Sequence, residues 1–480
     1  MNRPAPLVVL KFGGTSVSSP ERWRTIAQIV TEHVSAGDRV VLVHSAIRGV
    51  TDALHALALN ARTGEAAVVD AGVDGLRALH LELAAGLSLA GVPGLEGEFD
   101  FLRDQLRTER AEAAPPGPHL AEVLAAGERL VSRVGAAALA TAGIETTWVD
   151  ARDLLTAKTN VLETAQPWLS AECDGAVDPD VQKKVAAVDG VLLTQGFTAR
   201  TPGGETVVLG RGGSDTAAAY LAGKLNAGRL EIWSDVPGMF SADPRLVPEA
   251  RLLRSLNYRE AQEIATTGST VLHPRCIPAL RDRGIPIHLR SSLHPDMDGT
   301  VIHASDATGP AQVKAISRRL GVVLISLETV GMWQEVGFLA RAFGILSDAG
   351  LSIDLVSTSE TNVTVSLDAS ANLLDEDRLD RVVEQLALVS VVTVIRPCAS
   401  VSLVGSRIRT ILHQLGPALE LLEGYEIRLV TQASSDLNLT VVVDEPQAEG
   451  LVRQLHALLI PATADPSVFG TRWREIVGSL

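Results

Sequence analysis

Lys11 lies beside two glycines at the point where an apolar run of the sequence ends. The surrounding segment reads KFGGTS at 11–16, and a helical pattern follows from about Pro20. Glycines in such a turn let backbone amides approach an anion closely, and the helix N-terminus adds a favourable partial charge. The chain has only six lysines against 36 arginines, so a lysine here indicates a need for its compact charge. The segment predicts a phosphate site, with an ordinary turn and a solvated lysine as the alternative.

A second segment, GRGGSD at 210–215, surrounds one arginine with three glycines. It lies between an apolar run and a helical pattern at 214–226. A guanidinium group grips a carboxylate through paired hydrogen bonds, so Arg211 is a candidate ligand for a carboxylate. Ser214 and Asp215 also suit the N-cap and the first turn of a helix. Because capping does not explain three glycines around one arginine, we favour a ligand-binding loop.

The segment WSDVPG at 233–238 also follows an apolar run, and open α/β sheets bind ligands at the carboxyl ends of their strands. A Pro-Gly turn with polar side chains gives the same pattern. Further along the chain, Arg245 has two interpretations, which are contact with a phosphate and an ion pair with Asp243. The residues alone leave both open.

Gly127 stands inside a helical run, where a glycine costs about 1 kcal/mol relative to alanine. Close approach by another group is therefore expected at this position. Its neighbour Glu128 suits an ammonium group. The alternative is that Glu128 and Arg129 form a solvated polar patch.

Sequence motifs of several common enzyme classes are absent from the chain. There is no GxxxxGK[ST] segment, so a P-loop enzyme is excluded, and no dinucleotide-binding GxGxxG follows the first predicted strand. No cluster of His, Cys and Asp has metal-ligand spacing, so no protein-built metal site is expected. Without a GxSxG segment, hydrolase chemistry is not indicated either.

The composition limits the partners and the compartment. Lys and Arg number 42 and Asp and Glu 57 among 480 residues, a net charge of −15, which gives no general attraction to nucleic acid or anionic lipid. Three distant cysteines without a CxxC pair fit a reducing compartment. No stretch reaches the roughly 18–20 apolar residues of a membrane helix. The N-terminus is typical of a strand rather than a signal peptide, so a cytoplasmic protein is expected.

The hydrophobic pattern of the first 300 residues predicts a parallel α/β fold. Apolar runs without alternation are typical of strands buried on both faces, and they alternate with helical patterns. Residues 60–118 are rich in Ala, Leu and Glu, which predicts a helical insertion. The predicted strands are 7–12, 39–43, 145–150, 190–194 and 229–233, and the main predicted helices are 121–142 and 214–226.

A polar segment at 296–312 predicts a crossing between domains. After it, the order strand-helix-strand-strand-helix-strand occurs twice, with a period of about 80 residues. That order is typical of ferredoxin-like modules. We therefore expect a catalytic domain at 1–300 and two small modules at 313–396 and 397–480.

Six motifs of the chain resemble those of the aspartate kinases, in the order and rough spacing of that family. The two small modules resemble the ACT regulatory domains of the same enzymes, so the resemblance covers nearly the whole chain. It is strongest to the lysine-sensitive monofunctional type and to the kinase half of fusions with a diaminopimelate decarboxylase. No decarboxylase or homoserine dehydrogenase domain is expected here. The motifs are KFGGTSV at 11–17, SAIRGVTDAL at 45–54, GERLVS at 127–132, LGRGGSDTAAA at 209–219, WSDVPGMFSADPR at 233–245 and VLHP at 271–274.

The resemblance implies the amino-acid-kinase fold, with a mainly parallel central sheet between helices. It also implies transfer of the γ-phosphoryl group of ATP, bound with Mg²⁺, to the β-carboxylate of L-aspartate. The product, 4-phospho-L-aspartate, opens the pathway to lysine, threonine and methionine. Since the attacking carboxylate is ionised at neutral pH, no strong general base is required.

Matching positions imply roles for individual residues. For aspartate, Glu128 is expected to hold the ammonium group and Arg211 the α-carboxylate, beside Thr51 and Ser214. Lys11 and Asp215 are expected at the transferring phosphoryl group. The implied nucleotide-binding residues are Lys11, Gly13, Gly14, Ser234, Asp235, Phe240, Arg245 and Thr270.

Two of these positions depart from the family. Thr270 stands where members often have a lysine just before VLHP, and Phe240 stands where some have tyrosine. Both positions lie on the nucleotide side of the site, and Phe240 lacks the hydroxyl of tyrosine.

The regulatory half resembles the lysine-sensitive kind of effector site. Asp354 is expected to take the ε-ammonium of an effector, with lysine favoured and threonine left open. ACT modules of such enzymes pair between subunits, so a homodimer is expected. For Phe338 and Leu339 we favour a plain core role. The implied effector residues are Met332, Glu335, Phe338, Leu339, Ser352, Ile353, Asp354, Thr358, Ser359 and Glu360.

Two other functions remain open from the sequence. One is another acid kinase of the same fold, and the other is a catalytically silent sensor of amino acids that acts through its ACT pair. Glu128 and the paired modules favour aspartate kinase over the first, and Thr270 alone favours the second.

Overall fold

The computed structural model describes residues 6–64, 66–111, 117–158, 168–269, 271–304, 311–328, 336–372, 374–460 and 465–478. They form two compact units. The first unit contains Met1–Met239, Arg254–Tyr258 and Val271–Ala304, and the second contains Phe240–Leu253, Arg259–Thr270 and Ser305–Leu480. The predicted catalytic domain at 1–300 is therefore not continuous, because two of its segments belong to the second unit.

The secondary structure of the described residues alternates helices and strands. The strands are β1 (Leu7–Phe12), β2 (Arg39–His44), β3 (Thr146–Trp148), β4 (Val191–Gln195), β5 (Thr198–Arg200), β6 (Thr206–Val208), β7 (Arg229–Ser234), β8 (Arg251–Leu253), β9 (Ser255–Asn257), β10 (Ile287–Ser291), β11 (Thr300–His303), β12 (Gln312–Glu328), β13 (Leu355–Thr358), β14 (Asn362–Asp368), β15 (Val391–Ser406), β16 (Leu429–Thr431), β17 (Asn438–Asp444) and β18 (Phe469–Arg472). The helices are α1 (Pro20–Ser35), α2 (Val50–Thr63), α3 (Ala66–Gly86), α4 (Leu95–Ala111), α5 (Pro118–Thr141), α6 (Pro179–Ala186), α7 (Gly213–Leu225), α8 (Tyr258–Thr266), α9 (Cys276–Arg281), α10 (Phe338–Asp348), α11 (Glu376–Ala387), α12 (Gly416–Leu421), α13 (Ala448–Leu459) and α14 (Trp473–Gly478).

The first unit is built around an eight-stranded sheet in the order β3-β4-β2-β1-β7-β10-β11-β9. All neighbouring strands run parallel except β10 and β11, which are antiparallel. The valine- and leucine-rich strands β1, β2 and β4 are almost entirely buried, as expected for strands covered on both faces. This confirms the predicted α/β fold class with a mainly parallel sheet.

Helix α1 begins directly after the glycine-containing turn that follows β1. The Ser19 side chain caps it by accepting a hydrogen bond from the Arg22 amide, and Pro20 occupies the first turn. Its apolar positions recur at helical spacing and pack on the sheet, so the turn at its start is held in place. The buried side chains of this helix are Trp23, Ile26, Ile29 and Val30.

The predicted helical insertion at 60–118 consists of α3 and α4, flanked by the end of α2 and the start of α5. Its apolar side chains join the same core as the sheet. Arg129 on α5 is 2% exposed, and its guanidinium group pairs with Glu98 of α4 at 3.0 Å and with Glu122 at 3.1 Å. The alternative of a solvated patch at Glu128 and Arg129 is therefore wrong, because both side chains are buried.

Removing the Arg129 charge is expected to destabilise the first unit. Arg129→Met removes the most buried partner of Glu98 and Glu122, which keep only the more exposed Arg133 and Arg152, so we expect a loss of about 3 kcal/mol. Urea denaturation measures the loss. Arg107→Met is the control, since the Arg107 side chain is 71% exposed and pairs with Asp104 on the helix surface. The control should lose less than about 1 kcal/mol, and equal losses in the two variants would contradict the assigned role of Arg129.

The second unit contains a six-stranded sheet in the order β13-β14-β12-β15-β17-β16, with antiparallel neighbours. β12 and β15 are the two central strands of this sheet and have 17 and 16 residues. Residues 322–328 of β12 pair with β14 and with 391–398 of β15, whereas residues 312–319 pair with 400–406 of β15. The segment at 312–319 thus supplies a strand to the second half of the sheet.

The predicted boundary between the two modules at 396/397 lies inside β15 and does not separate two sheets. The order of strands along the chain predicts a separate sheet for each module. In the structure, strands of both predicted modules pair with each other in one sheet. The last predicted strand is replaced by β18, which pairs with β8 outside this sheet. The predicted helix at 407–422 is a 3₁₀ helix at Ile408–Leu415 followed by α12.

The cysteines Cys173, Cys276 and Cys398 are all buried and unpaired with one another. Among the described residues, every helix is too short or too polar to span a lipid bilayer. The cytoplasmic location stays a prediction from the sequence.

Candidate active site

A cavity of about 520 Å³ lies in the first unit at the carboxyl edge of its central strands. Lys11 at the end of β1 and Arg211 before α7 both line it, although 199 residues separate them in the chain. Open α/β sheets bind ligands at this edge. The structure therefore brings the two predicted cations to one site. The other predicted residues that line the cavity are Thr51, Glu128, Ser214 and Asp215.

Lys11 is 7% exposed, and its ammonium group forms an ion pair with the Asp215 carboxylate in the first turn of α7. A buried ammonium group needs such a partner because its desolvation is costly. The pair holds the lysine amine at the cavity. An anionic ligand at this point would compete with Asp215 for the lysine charge.

Gly13 and Gly14 differ in what they offer to a ligand. The Gly13 amide donates to the Trp233 carbonyl at 3.0 Å, so the expectation that it donates to a phosphate is wrong for this structure. Gly14 begins a 3₁₀ turn, whose first amides have no partner within the turn. A Cβ atom on Gly14 would lie 2.7 Å from the Ala46 carbonyl oxygen, so only glycine lets the turn pack here.

The two glycines make a matched pair for mutagenesis. Gly14→Ala forces Ala46 backbone to move and is expected to cost about 1–3 kcal/mol of stability. Gly13→Ala should be tolerated, because its φ of −73° suits alanine and its nearest added contact is 3.7 Å. Thermal and urea unfolding of both variants measure the difference. A Gly13 variant less stable than the Gly14 variant would contradict this packing.

The loop before α7 needs its glycines for conformation and for space. Gly210 and Gly212 have φ values of 73° and 65°, in the left-handed region that favours glycine. A Cβ atom on Gly212 would also lie 2.3 Å from the His273 ring. The N-cap of α7 is Gly212, so the alternative that Ser214 caps this helix is wrong.

Glu128 on α5 is 3% exposed and points into the site. Ser214 donates a hydrogen bond to its Oε1 at 3.3 Å, while Oε2 is buried without a hydrogen-bond partner among the residues that the structure describes. Burial raises the pKa of Glu128 to about 7. The Ala46 amide, Ser214 and Lys11 each act in the opposite direction and lower this pKa, but their effect is smaller than that of burial. A buried carboxylate with one free oxygen at a cavity is suited to an ammonium group.

Gly127 explains how Glu128 reaches the cavity. A Cβ atom there would lie 3.1 Å from Ala46 and 3.2 Å from Val50 and Leu54, which is tighter than usual contact. The expectation of a close approach at this glycine is confirmed. α5 packs against the turn between β2 and α2, and Glu128 therefore lies beside that turn.

Apart from Lys11, the residues predicted for the nucleotide do not line this cavity. Ser234 closes the turn after β7 by donating to the Val236 carbonyl at 3.0 Å, and Asp235 is exposed. Phe240 and Arg245 belong to the second unit, where Phe240 packs edge-on against Trp473. Arg245 pairs with Asp243 at 2.9 Å, one of its two interpretations. Thr270 lies outside the described residues.

The predicted effector residues lie in the second unit. Phe338 is 2% exposed in the core, as favoured, but Leu339 is 41% exposed and its core role is wrong. The Asp354 carboxylate pairs with Arg319 at 3.4 Å, and burial raises its pKa. Met332 and Glu335 lie outside the described residues. The remaining predicted residues cluster around β13, at Ser352, Ile353, Thr358, Ser359 and Glu360.

Comparison with known proteins identifies the family. The amino acid kinase family matches residues 6–291, and the ACT domain matches residues 325–372. The lysine-sensitive aspartokinase 3 of Escherichia coli is 33% identical over 94% of this chain and 99% of that protein. The chain belongs to the aspartokinase family. The aspartokinase of Schizosaccharomyces pombe is similar too, with 30% identity over 95% of this chain and 93% of its own.

Solved aspartokinase structures have the same fold. Aspartokinase III of E. coli in complex with aspartate and ADP has a TM-score of 0.81, 29% identity, and coverage of 95% of this chain and 100% of that one. The same enzyme in complex with lysine and aspartate has a TM-score of 0.75 at the same identity and coverage. The predicted resemblance to lysine-sensitive aspartokinases is confirmed.

Sequence reasoning overlooked several residues of this aspartokinase-family cavity. Arg48, Asp52 and Phe197 line it as well, and Arg48 is exposed at its rim. Arg48 and Asp52 lie within the quoted motif at 45–54, directly after β2, so their position at the carboxyl edge was a usable signal. Phe197 has no comparable signal, because its φ of 63° and its contact with Gly213 depend on the folded chain.

Proposed function

We propose that the protein is an aspartate kinase, which transfers the γ-phosphoryl group of ATP to the β-carboxylate of L-aspartate. Family membership and the relatives solved with aspartate and nucleotide support this function. The observation in this chain that carries it is the single cavity shared by Lys11, Arg211 and Glu128. Two cations and one buried carboxylate match the charges of a dicarboxylic amino acid beside a phosphate. The product, 4-phospho-L-aspartate, would feed the synthesis of lysine, threonine and methionine.

In this proposal, aspartate is held by opposite charges at its two ends. Glu128 takes the ammonium group through its free oxygen, and Arg211 takes the α-carboxylate in a paired arrangement. Thr51 and Ser214 line the space between them. This arrangement leaves the β-carboxylate of aspartate directed towards Lys11.

Lys11 and the first turn of α7 would face the transferring phosphoryl group. Such transfer depends on positioning and on charge stabilisation more than on covalent chemistry by the protein. The Lys11 charge neutralises the developing negative charge, and Asp215 keeps the amine in place. Since the attacking carboxylate is ionised at neutral pH, the site needs no general base.

The nucleotide and its metal complete the proposal. Among the described residues, no group of three or more His, Cys, Asp or Glu side chains is placed to hold a metal ion. Mg²⁺ is usually bound through substrate phosphates and one or two carboxylates, so the proposal places it on the ATP oxygens. Asp215 is the carboxylate beside Lys11, and bound Mg²⁺ would neutralise phosphate charge. Gly14, Ser234, Asp235, Phe240, Arg245 and Thr270 remain proposed nucleotide residues.

The decisive experiment measures ADP release by the purified protein with ATP, Mg²⁺ and a panel of acids. Turnover with L-aspartate, and trapping of its acyl phosphate as a hydroxamate, supports the proposal. Turnover with L-glutamate or carbamate but not with aspartate would favour the other acid kinase. Lysine binding without turnover on any acid would favour the silent sensor.

Feedback regulation is part of the proposal, with lysine as the favoured effector. The structure of the E. coli relative in complex with lysine supports this choice. The Asp354 carboxylate is one-third exposed and already pairs with a cationic group, Arg319, so an ammonium group can reach it from solvent. A homodimer through the ACT modules belongs to the same proposal. Supporting it, β13 forms an edge of its sheet, and Val356 on it is 42% exposed.

Asp354→Asn is expected to weaken inhibition by lysine without lowering the uninhibited rate. The loss of one charge partner should raise the half-inhibitory lysine concentration about tenfold or more. Titrations against lysine and threonine, singly and together, measure the effect. Asp348→Asn on the exposed end of α10 is the control. Equal lysine sensitivity in both variants would contradict the assignment of Asp354.

A further inference from the structure

His44 is a buried histidine directly behind the candidate active site. It is the last residue of β2 and is 0% exposed. Burial, with a smaller effect of the Lys11 charge, lowers its pKa to about 4, so the ring is neutral near pH 7. No role for it follows from the motifs of the sequence.

The imidazole has one defined hydrogen bond. Its Nδ1 lies 3.0 Å from the Ser45 carbonyl oxygen, and a carbonyl only accepts, so Nδ1 carries the proton. Nε2 is buried and has no partner in the part of the chain that the structure describes. The ring therefore donates to one backbone oxygen and to nothing else that is described.

That carbonyl belongs to the peptide unit that joins Ser45 to Ala46. Both residues line the cavity, and Ala46 packs against α5 at Gly127, next to Glu128. The Ala46 amide also favours the charged form of Glu128. The peptide unit thus links the histidine to the buried carboxylate.

The backbone of His44 is also connected, through Gly196, to Ser214, which is the second group that contacts Glu128. Its carbonyl accepts a hydrogen bond from the Gly196 amide at 2.9 Å. Gly196 packs so closely on Ser214 that a Cβ atom would lie 2.6 Å from the Ser214 Cβ. Ser214 in turn donates to Glu128. His44 is therefore connected to Ser214 through Gly196 and to the Ala46 amide through the Ser45–Ala46 peptide unit.

We propose that His44 is a positioning residue, which fixes the Ser45–Ala46 peptide unit by donating to the Ser45 carbonyl and thereby holds Glu128 ready for the substrate ammonium group. The inference rests on the proposed function, and it deepens that function. A misplaced Glu128 weakens aspartate binding, whereas ATP binding depends on other residues. Displacements of about 1 Å in such a site can cost up to 10²-fold.

The test compares His44→Leu with a matched control, His80→Leu. His80 on α3 is also 0% exposed, its Nδ1 lies 2.8 Å from the Leu76 carbonyl oxygen, and its Nε2 lacks a described partner. We expect His44→Leu to raise the KM for aspartate about tenfold, with the KM for ATP within about twofold. In His44→Leu, the decrease of kcat/KM for aspartate at acid pH should also occur at a higher pH than in the wild type. His80→Leu should leave both properties unchanged at a similar loss of thermal stability.

The conservative variants separate positioning from mere packing. The amide nitrogen of asparagine superposes on Nδ1, and that of glutamine on Nε2. His44→Asn should therefore restore the KM for aspartate to within about threefold, and His44→Gln should not. This pair remains informative if His44→Leu fails to fold. Equal KM values for the Asn and Gln variants, or no difference between His44→Leu and His80→Leu, would overturn the inference. Failure of the proposed function would appear separately, as an inactive wild-type protein.

Discussion

Replacing Lys11 with alanine is expected to lower the kcat for ADP release with aspartate by about 10³-fold or more. A single preorganised donor at a charged transition state contributes about 10²–10³, and a cation at a transferring phosphoryl group contributes up to about 10⁵. Lys11 is a buried cation of the cavity, and its removal also leaves Asp215 without a partner. Steady-state ADP release over a range of both substrates measures the loss.

Lys183→Ala is the matched control for Lys11. Its side chain is 80% exposed on α6 and pairs only loosely with Asp180, at 3.7 Å. The control should keep wild-type kinetics. A Lys11 variant with more than a tenth of the wild-type kcat would contradict the assigned role of Lys11.

Arg211→Ala should act differently from the Lys11 variant, because it removes a substrate contact. It should raise the KM for aspartate as well as lower turnover.

Replacing Glu128 with glutamine is expected to raise the KM for aspartate about 10²-fold or more. A neutral amide cannot pair with the substrate ammonium group, and truncating one partner of a buried charge pair costs about 2–5 kcal/mol. The KM for ATP should change little and serves as the internal control. If both KM values rose equally, Glu128 would have a structural role rather than a role in binding aspartate.

The pH dependence of the wild-type enzyme provides a second measurement on Glu128. Burial raises the pKa of this carboxyl to about 7, so it is neutral below that pH and charged above it. Only the charged form attracts an ammonium group. The kcat/KM for aspartate, which reports the free enzyme, should therefore rise through about pH 7 and then level. Glu128→Gln should lack this rise, and a rise of the same size in the variant would assign it to another group.

Composition and motifs predicted the chemical groups of the site well. Lys11, Arg211 and Glu128 were all singled out from local context, and the structure places them around one cavity. For Lys11 the reason is physical, because a glycine turn after a buried strand lies at the carboxyl edge of a parallel sheet. Arg211 follows β6 of a separate two-stranded sheet and Glu128 lies on α5, so the folded chain brings them to that edge. The parallel sheet itself followed from apolar runs without alternation.

The partners of these groups were not predictable in the same way. Gly13 and Gly14 look equivalent in the sequence, but only Gly14 packs against the Ala46 backbone, and the Gly13 amide is occupied by Trp233. Ser214 looked like a helix cap, and instead donates to Glu128. Each partner lies far away in the chain, so local pattern carries no information about it.

The sequence by itself determined the fold class, the family resemblance and the identity of the charged residues, since periodicity and motif spacing are local properties. Only the tertiary structure decided that 312–319 pairs with 400–406 inside one sheet, and that the buried Arg129 side chain forms an ion pair with Glu98 of α4. It also decided that Ser214 donates to Glu128, which lies 86 positions away in the chain. Strand pairing, burial and hydrogen-bond geometry depend on which surfaces meet in space, and the order of residues along the chain does not specify that locally.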